Sequence, residues 1–384
     1  MTLSIDRDYI TKTLADLVRI NSVNPSLSPD GGGETEIAAY VADALSALGL
    51  VVKTFELAPK RVNVVGVLPG ARRGRSLLLN AHMDTVGVEG MDDPFGAQIR
   101  DGRLYGRGSQ DMKGSLAAMM GAAKAFVDAG HKLPGDLLIT AVADEEYGSI
   151  GMEHLVKTVT ADAAIVTEPT DLTLCRAHRG FIWYEVETTG RAAHGSRYAE
   201  GIDANMRMGR FLSRLEDLER DLRNRSPHSL AGPPSLHAAI LRGGSEVSVY
   251  AASSHLTLER RTTPGETQDQ ATAELQAIVD QLSAEDETFK ATVKPTFLRE
   301  PFEIDATAPI SRALDKAMTA HMGVRPRHSG QTFWTDAALL AAAGIDTVLV
   351  GPIGQGLHSA EEWVDLKSVH DLAAILLQTA VNYR

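Results

Sequence analysis

The sequence predicts an α/β protein with a mostly parallel sheet, interrupted by an inserted α+β domain. Three observations carry this. Apolar strand runs alternate with helical periods from residue 8 to residue 168. Near residue 180 the order becomes strand, helix, strand, strand, helix, strand, which fits a ferredoxin-like sandwich. After residue 299 the first pattern resumes. The expected division is therefore a larger domain from 1–179 and 299–384, with 180–298 inserted as a smaller one.

At the N-terminal end, Ile10, Leu14, Leu17 and Val18 recur at helical spacing, predicting an amphipathic helix over 8–19. A polar loop, NPSLSPDGGGE (24–34), separates it from a helix over 35–48 that ends at Gly49. Strands are expected at 51–57, 62–68 and 76–81. The last of these, SLLLNAH, is apolar and then turns polar. A buried strand delivering functional groups at its C-terminal end reads this way. An Ala- and Met-rich helix covers 114–129, a strand 136–143, a helix 149–158 and a strand 163–167.

In the insert, FIWYEVETTG (181–190) alternates like a half-exposed strand. A helix at 201–219, strands at 235–242 and 254–261, a helix at 267–284 and a strand at 290–297 complete it. Helices at 309–321, 335–343 and 366–382 and a strand at 346–350 close the chain.

Composition narrows the function classes. With 43% hydrophobic and 23% charged residues the chain is ordinarily globular. A net charge of −12 leaves no basic surplus to neutralise phosphates, so a nucleic-acid partner is not expected. No apolar stretch reaches the roughly 18 residues of a membrane span. The opening MTLSIDRDYI is not a secretory pattern, so a cytoplasmic protein is expected. Cys175 is the sole cysteine, which rules out an intramolecular disulfide.

The chemistry lies in polar groups placed at strand ends. His82 and Asp84 close LLLNAHMDT (77–85), Asp111 sits in GRGSQDMKG (106–114), Glu145 and Glu146 in ITAVADEEYGSIG (139–151), Glu168 in AAIVTEPT (163–170), and His358 in VLVGPIGQGLHSAEEW (348–363). Two imidazoles and several carboxylates suit a pair of divalent cations such as zinc. His82 is read as a ligand, with Asp84 holding its second ring nitrogen. Asp111 has two oxygens and can bridge two cations. Glu145 and Glu146 are neighbours whose side chains diverge, so one can be a base, here Glu145, while Glu146 binds metal. Glu168 and His358 complete five ligands. The glycines around Asp111 lack the Gly-Lys-Ser/Thr of a phosphate loop.

On these motifs the chain resembles, over nearly its whole length, the metallopeptidase family of acetylornithine deacetylase, succinyl-diaminopimelate desuccinylase, aminoacylase and carboxypeptidase G. The resemblance implies a zinc-exopeptidase-like catalytic domain with a dimerisation lid. It implies one metal on His82, Asp111 and Glu168 and another on Asp111, Glu146 and His358. Glu145 is then the base, Asp84 the orienter, and Asp111–Met112 a cis peptide. In RAAHGSRYAEGIDA (191–204), His194 corresponds to a histidine that reaches a partner subunit's site and stabilises the oxyanion. In ERRTTPGE (259–266), Arg261 corresponds to an arginine that grips a substrate carboxylate, and Arg260 is read as structural or solvated. Ser248 stands where relatives carry the asparagine of an Asn-Val-x-Pro segment, a departure that counts against acetylornithine and diaminopimelate substrates. Gln331, Thr332, Thr335 and Asp336 fall among substrate-pocket positions.

The expected protein is thus a homodimeric, two-zinc amidohydrolase for a small N-acyl amino acid with a free carboxylate; cobalt or manganese would also suit the ligands. The alternatives are a dipeptidase or carboxypeptidase-type exopeptidase of the same family, and a metal-binding scaffold without turnover.

Overall fold

A computed structural model describes residues 3–71 and 73–383. By packing, the chain falls into two compact units: Met1–Arg176 with Ile304–Ser329 and Thr335–Arg384, and Ala177–Glu303 with Gly330–Trp334.

The first unit is built on a mixed sheet. Its strands run in the order Val51–Ala58, Arg61–Leu68, Leu137–Val142, Leu77–His82, Ala163–Val166, Asp346–Leu349, Leu174–His178. The four from Leu137–Val142 to Asp346–Leu349 are mutually parallel, and the outer strands join antiparallel. Both faces of the parallel centre are covered, which is why Leu77–His82 and Leu137–Val142 are buried along their whole length. Burying each of Leu77, Leu78 and Leu79 contributes about 1.5–3 kcal/mol.

Strand register brings the polar strand ends together. His82 pairs with Val142, and Asn80 pairs with Val166. The polar residues that extend these three strands therefore emerge side by side at one sheet edge.

The helix Gly114–Ala129 is buried over most of its surface and packs against Arg7–Arg19 and Leu366–Asn382. Gly121 permits one of these crossings, because a Cβ there would stand 2.3 Å from Ile10 Cγ1. The face predicted for the first helix, Ile10, Leu14, Leu17 and Val18, is the buried one. Asp6 caps that helix by accepting from Tyr9 N at 3.0 Å. A small antiparallel sheet of Gln98–Arg100, Arg103–Tyr105, Gly354–Gln355 and Trp363–Asp365 has no counterpart in the sequence pattern, since two or three residues carry no periodicity.

The second unit is a four-stranded antiparallel sheet, ordered Ser235–Gly243, Ser253–Thr262, Gly180–Thr189, Lys290–Arg299. Helices Ala204–Asn224 and Gln268–Glu285 supply the other half of its core. Ile182, Tyr184 and Val186 alternate inward and meet Phe211, Leu215, Leu275 and Leu282. The strand order 2-3-1-4 is the ferredoxin-like one expected. Arg260 proves structural: it is fully buried and pairs with Glu266 at 2.6 Å and Glu274 at 3.2 Å.

Among the described residues no helix is long and apolar enough to cross a membrane.

Candidate metal centre

All seven polar residues that the sequence places at strand ends lie in the first unit, and they converge. His82 ends its strand almost completely buried. Its Nε2 stands 3.1 Å from Asp111 Oδ1 and 3.8 Å from Glu168 Oε1. The other oxygen of Asp111, Oδ2, is 3.5 Å from His358 Nε2, which is also 3.1 Å from Glu146 Oε2. One carboxylate thus faces both imidazoles, one oxygen toward each.

Asp111 is presented by a tight turn, Ser109–Lys113, ahead of the long buried helix, and Asp111–Met112 is cis. The turn needs Gly108 at φ 79°, where a Cβ would lie 2.7 Å from Thr85 Cγ2. Two three-residue donor groups form here, each with ligand atoms within 4.8 Å of one another: His82, Glu145, Glu168 and His82, Asp111, Glu146. Glu145 therefore stands in the same shell as the expected ligands.

The electrostatics fit a cation. Burial, then the Glu168 carboxylate, push Glu145 well above the usual carboxylate range. Burial likewise raises Glu168 well above it, and burial with Asp111 raises Glu146. Burial alone would lower His82, but its hydrogen bond to Asp111 and the carboxylates around it raise it well above normal. Hydrogen bonds to Asp111 and Glu146 push His358 up to about 10. Burial opposes ionisation of Asp111, yet the two histidines hold it below the carboxylate range. Four acidic side chains crowded at this depth repel one another unless positive charge joins them. Imidazole nitrogens and carboxylate oxygens are the donors that borderline divalent cations prefer. The residues present fit a dinuclear metal site.

The outer layer departs from the sequence reading. His82 Nδ1 bonds to the main-chain oxygen of Asp84 at 2.9 Å, with Asp84 Oδ1 at 3.7 Å. The Asp84 carboxylate instead accepts from Glu145 N and Glu146 N, each at 3.1 Å, and from Asn24 Nδ2 at 2.8 Å. Asn24 leads to a buried network. Arg61 donates to Asn24 Oδ1 and to Glu34 Oε1 at 2.6 Å, and pairs with Asp144 Oδ1 at 3.0 Å. Burial and the Asp84 charge push Glu34 up to about 8, against the pull of Arg61.

Neither this network nor Glu362 stands out in the sequence. Asn24 and Glu34 bound a Gly- and Pro-rich loop that reads as solvated, and Glu362 lies in an acidic run. Glu362 follows His358 closely in sequence, but Asn24 and Glu34 lie beside no motif residue and carry no signal. Asp336 is buried, and its charge raises both Glu145 and Glu168.

Thr335 is buried in the first unit with Asp336, whereas His194, Ser248, Arg261, Gln331 and Thr332 belong to the second. His194 is exposed; its Nδ1 accepts from Ser196 N at 3.2 Å, which leaves the neutral ring's proton on Nε2. Ser248 is also exposed, and its main-chain oxygen accepts from Gly195 N at 2.7 Å. Arg261 is engaged: its Nε donates to Glu259 Oε1 at 2.6 Å and its guanidinium lies 5.0 Å from the Phe181 ring centroid. Gln331 receives Arg179 N on its main-chain oxygen at 3.2 Å.

The chain is similar to known proteins over most of its length. The sequence profile of Peptidase family M20/M25/M40 matches residues 78–382. An N-formyl-4-amino-5-aminomethyl-2-methylpyrimidine deformylase of Bacillus subtilis (strain 168) is 28% identical, covering 93% of this chain and 91% of that protein. An acetylornithine deacetylase of Myxococcus xanthus is 29% identical, covering 84% of each. A solved tripeptidase from Staphylococcus aureus superposes with a TM-score of 0.80 at 20% identity, covering 98% of both chains.

Proposed function

The chain belongs to peptidase family M20/M25/M40, and from that membership we propose a dinuclear metal-dependent hydrolase that cleaves the amide bond of a small N-acyl amino acid. The observation that carries the reading is Asp111, whose two oxygens face His82 and His358 at 3.1 and 3.5 Å. One cation would be held by His82, Asp111 and Glu168, the other by Asp111, Glu146 and His358. Zinc suits these donors best, and cobalt or manganese would serve.

Bound there, the cations supply Lewis acidity, polarising the scissile carbonyl and bringing the attacking water's pKa toward about 7. Glu145 takes the proton from that water and passes it to the leaving amine, a transfer worth about 10²–10⁴-fold in rate. Asp84 fixes the backbone beneath Glu145 and Glu146 and so aims both side chains. His194, with its proton on Nε2, would donate to the oxyanion of a substrate held by a partner subunit; one such donor is worth about 10²–10³-fold. Arg261 offers a cationic contact to the substrate carboxylate, in competition with Glu259.

Acyl removal is favoured because two relatives are named as a deformylase and a deacetylase. A homodimer through the inserted unit belongs to the same proposal. It is supported by the edge strand Ser235–Gly243, which exposes Ile240 and Leu241, and by the exposed Met206 on the adjoining helix. A cytoplasmic setting belongs to the same proposal and accords with a chain whose one cysteine, Cys175, cannot form an intramolecular disulfide.

The test is a panel of N-formyl, N-acetyl and N-succinyl amino acids beside dipeptides, run on the metal-loaded enzyme with released amine as the readout. Turnover concentrated in one acyl class supports the proposal. Cleavage of dipeptides alone would replace it with an exopeptidase.

A further inference from the structure

We propose that Glu362, working with Arg107, is a positioning residue that sets the Asp111 turn against the His358 turn, and so tunes one cation site more than the other. The inference rests on the reading of Asp111 and His358 as ligands.

Glu362 is 1% exposed. Each of its carboxylate oxygens accepts two N–H groups. Oε1 takes Gln110 N at 2.9 Å and Asp111 N at 3.1 Å. Oε2 takes Gly108 N at 3.1 Å and Arg107 Nη1 at 2.7 Å. The carboxylate therefore sits in the backbone amides of the turn that presents Asp111, and one of those amides is Asp111's own. Charge-assisted bonds of this kind are roughly twice as strong as neutral ones.

Arg107 completes the tie. Its Nη2 donates to the main-chain oxygen of Ser359, the residue after His358, at 2.9 Å, and its Nε donates to Gly87 O at 2.8 Å. Glu362 O in turn accepts Gly106 N at 3.0 Å. The two ligand-bearing turns lie far apart in sequence and are joined through this pair.

The other ligands do not depend on it. His82 and Glu168 follow neighbouring parallel strands whose register is fixed, with Asn80 opposite Val166 and Thr167 N bonded to Asn80 O at 3.0 Å. Sheet pairing places them. His358 lies on an irregular turn at φ 58°, next to the residue that Arg107 holds. Loosening the Glu362–Arg107 pair should therefore weaken the site of Asp111, Glu146 and His358 and spare most of the affinity of the site containing His82 and Glu168.

Glu362→Gln isolates the effect. A glutamine has the same size, but either orientation turns its NH2 toward two N–H donors. Arg107→Lys is the second variant; it keeps the buried charge but cannot reach Glu362, Ser359 O and Gly87 O together. The full-length wild type and both variants are stripped of metal and checked for fold by circular dichroism. Each is then titrated with Zn²⁺ by calorimetry under chelator competition, and with Co²⁺ followed by absorption.

The expected result is two sites in the wild type. In each folded variant one site should weaken about 10- to 100-fold, while the other, which shares Asp111 but keeps the strand-held His82 and Glu168, weakens clearly less. Two sites at wild-type affinity, or both weakened equally, would overturn the inference. A wild type that binds fewer than two cations would overturn the ligand reading instead, a signature the variants cannot mimic. If Glu362→Gln does not fold, Arg107→Lys decides on the same criteria.

Discussion

Asp84 holds the His82 ring with its main chain: Nδ1 lies 2.9 Å from Asp84 O and 3.7 Å from Asp84 Oδ1. The carboxylate is left to organise the Glu145–Glu146 corner through two backbone amides and Asn24. Asp84 therefore links His82 to the corner that carries Glu145 and Glu146, the proposed base and a proposed ligand of the second cation.

Asp84→Asn tests that link. Both carboxylate oxygens face N–H donors, so either amide orientation sets an NH2 against one of them. The hydrolytic rate should fall about 10- to 100-fold, mainly in kcat, because outer-layer partners carry losses of that size. Steady-state kinetics with metal analysis of the same preparation checks it. An unchanged kcat would show that the corner does not need the carboxylate.

Glu145→Gln separates base from ligand. The variant should keep two bound cations and lose about 10²–10⁴-fold in kcat. Loss of a cation in elemental analysis would make Glu145 a ligand, which its place beside His82 and Glu168 permits.

The metal-free protein should lose stability as pH rises. His82 and His358 are raised in the folded state, so their contribution is complete below about pH 6.5, the unperturbed histidine value. It is lost with rising pH, for His358 through about 10. Glu145 and Glu168 are also raised, so their contribution is present below about pH 4.3 and disappears as pH climbs through their folded values. All four act in the same direction. Bound cations replace those protons, so the gap in Tm between loaded and stripped protein should widen from about pH 5 to about pH 9. A gap that narrows would contradict the assignment.

Arg61 should matter as much to stability as any core residue. Removing it leaves Glu34 and Asp144 buried beside Asp84 with no cation. Arg61→Met is expected to cost about 3–5 kcal/mol. Adding Glu34→Gln should recover part of that cost, and a double-mutant cycle by denaturant unfolding of the stripped protein measures the coupling. Strict additivity would mean that the two residues act separately.

Leu241→Asp on the edge strand should shift the protein toward monomer in sedimentation velocity, since the charge falls on the surface proposed for pairing. An unchanged sedimentation coefficient would move the interface elsewhere or remove it.

Much of this site is legible in the sequence. Leu77–His82 and Leu137–Val142 are apolar runs ending in acids or histidine, and their parallel register turns that linear pattern into a cluster. The alternation at 181–190 likewise marks the inward face of the second sheet. Residues that act through hydrogen bonds to backbone leave no such trace. Asn24 and Glu362 sit in polar loops, and only folding shows that they are buried. The helix expected at 201–219 begins at Ala204 and runs on to Asn224, because Leu218 and the buried Leu222 carry its apolar stripe one turn further into the core. Arg261 is expected at a substrate carboxylate, yet Glu259, two residues earlier on the same strand, already engages it.

Stepwise addition of zinc to the stripped enzyme, with bound cation and released amine measured at each step on the best acyl substrate, tests the two-cation site most directly. The stripped enzyme should be inactive, and hydrolysis should rise as two equivalents fill. Full hydrolysis in the stripped enzyme, or none at two equivalents, would show that the carboxylates and histidines around Asp111 do not form the working site.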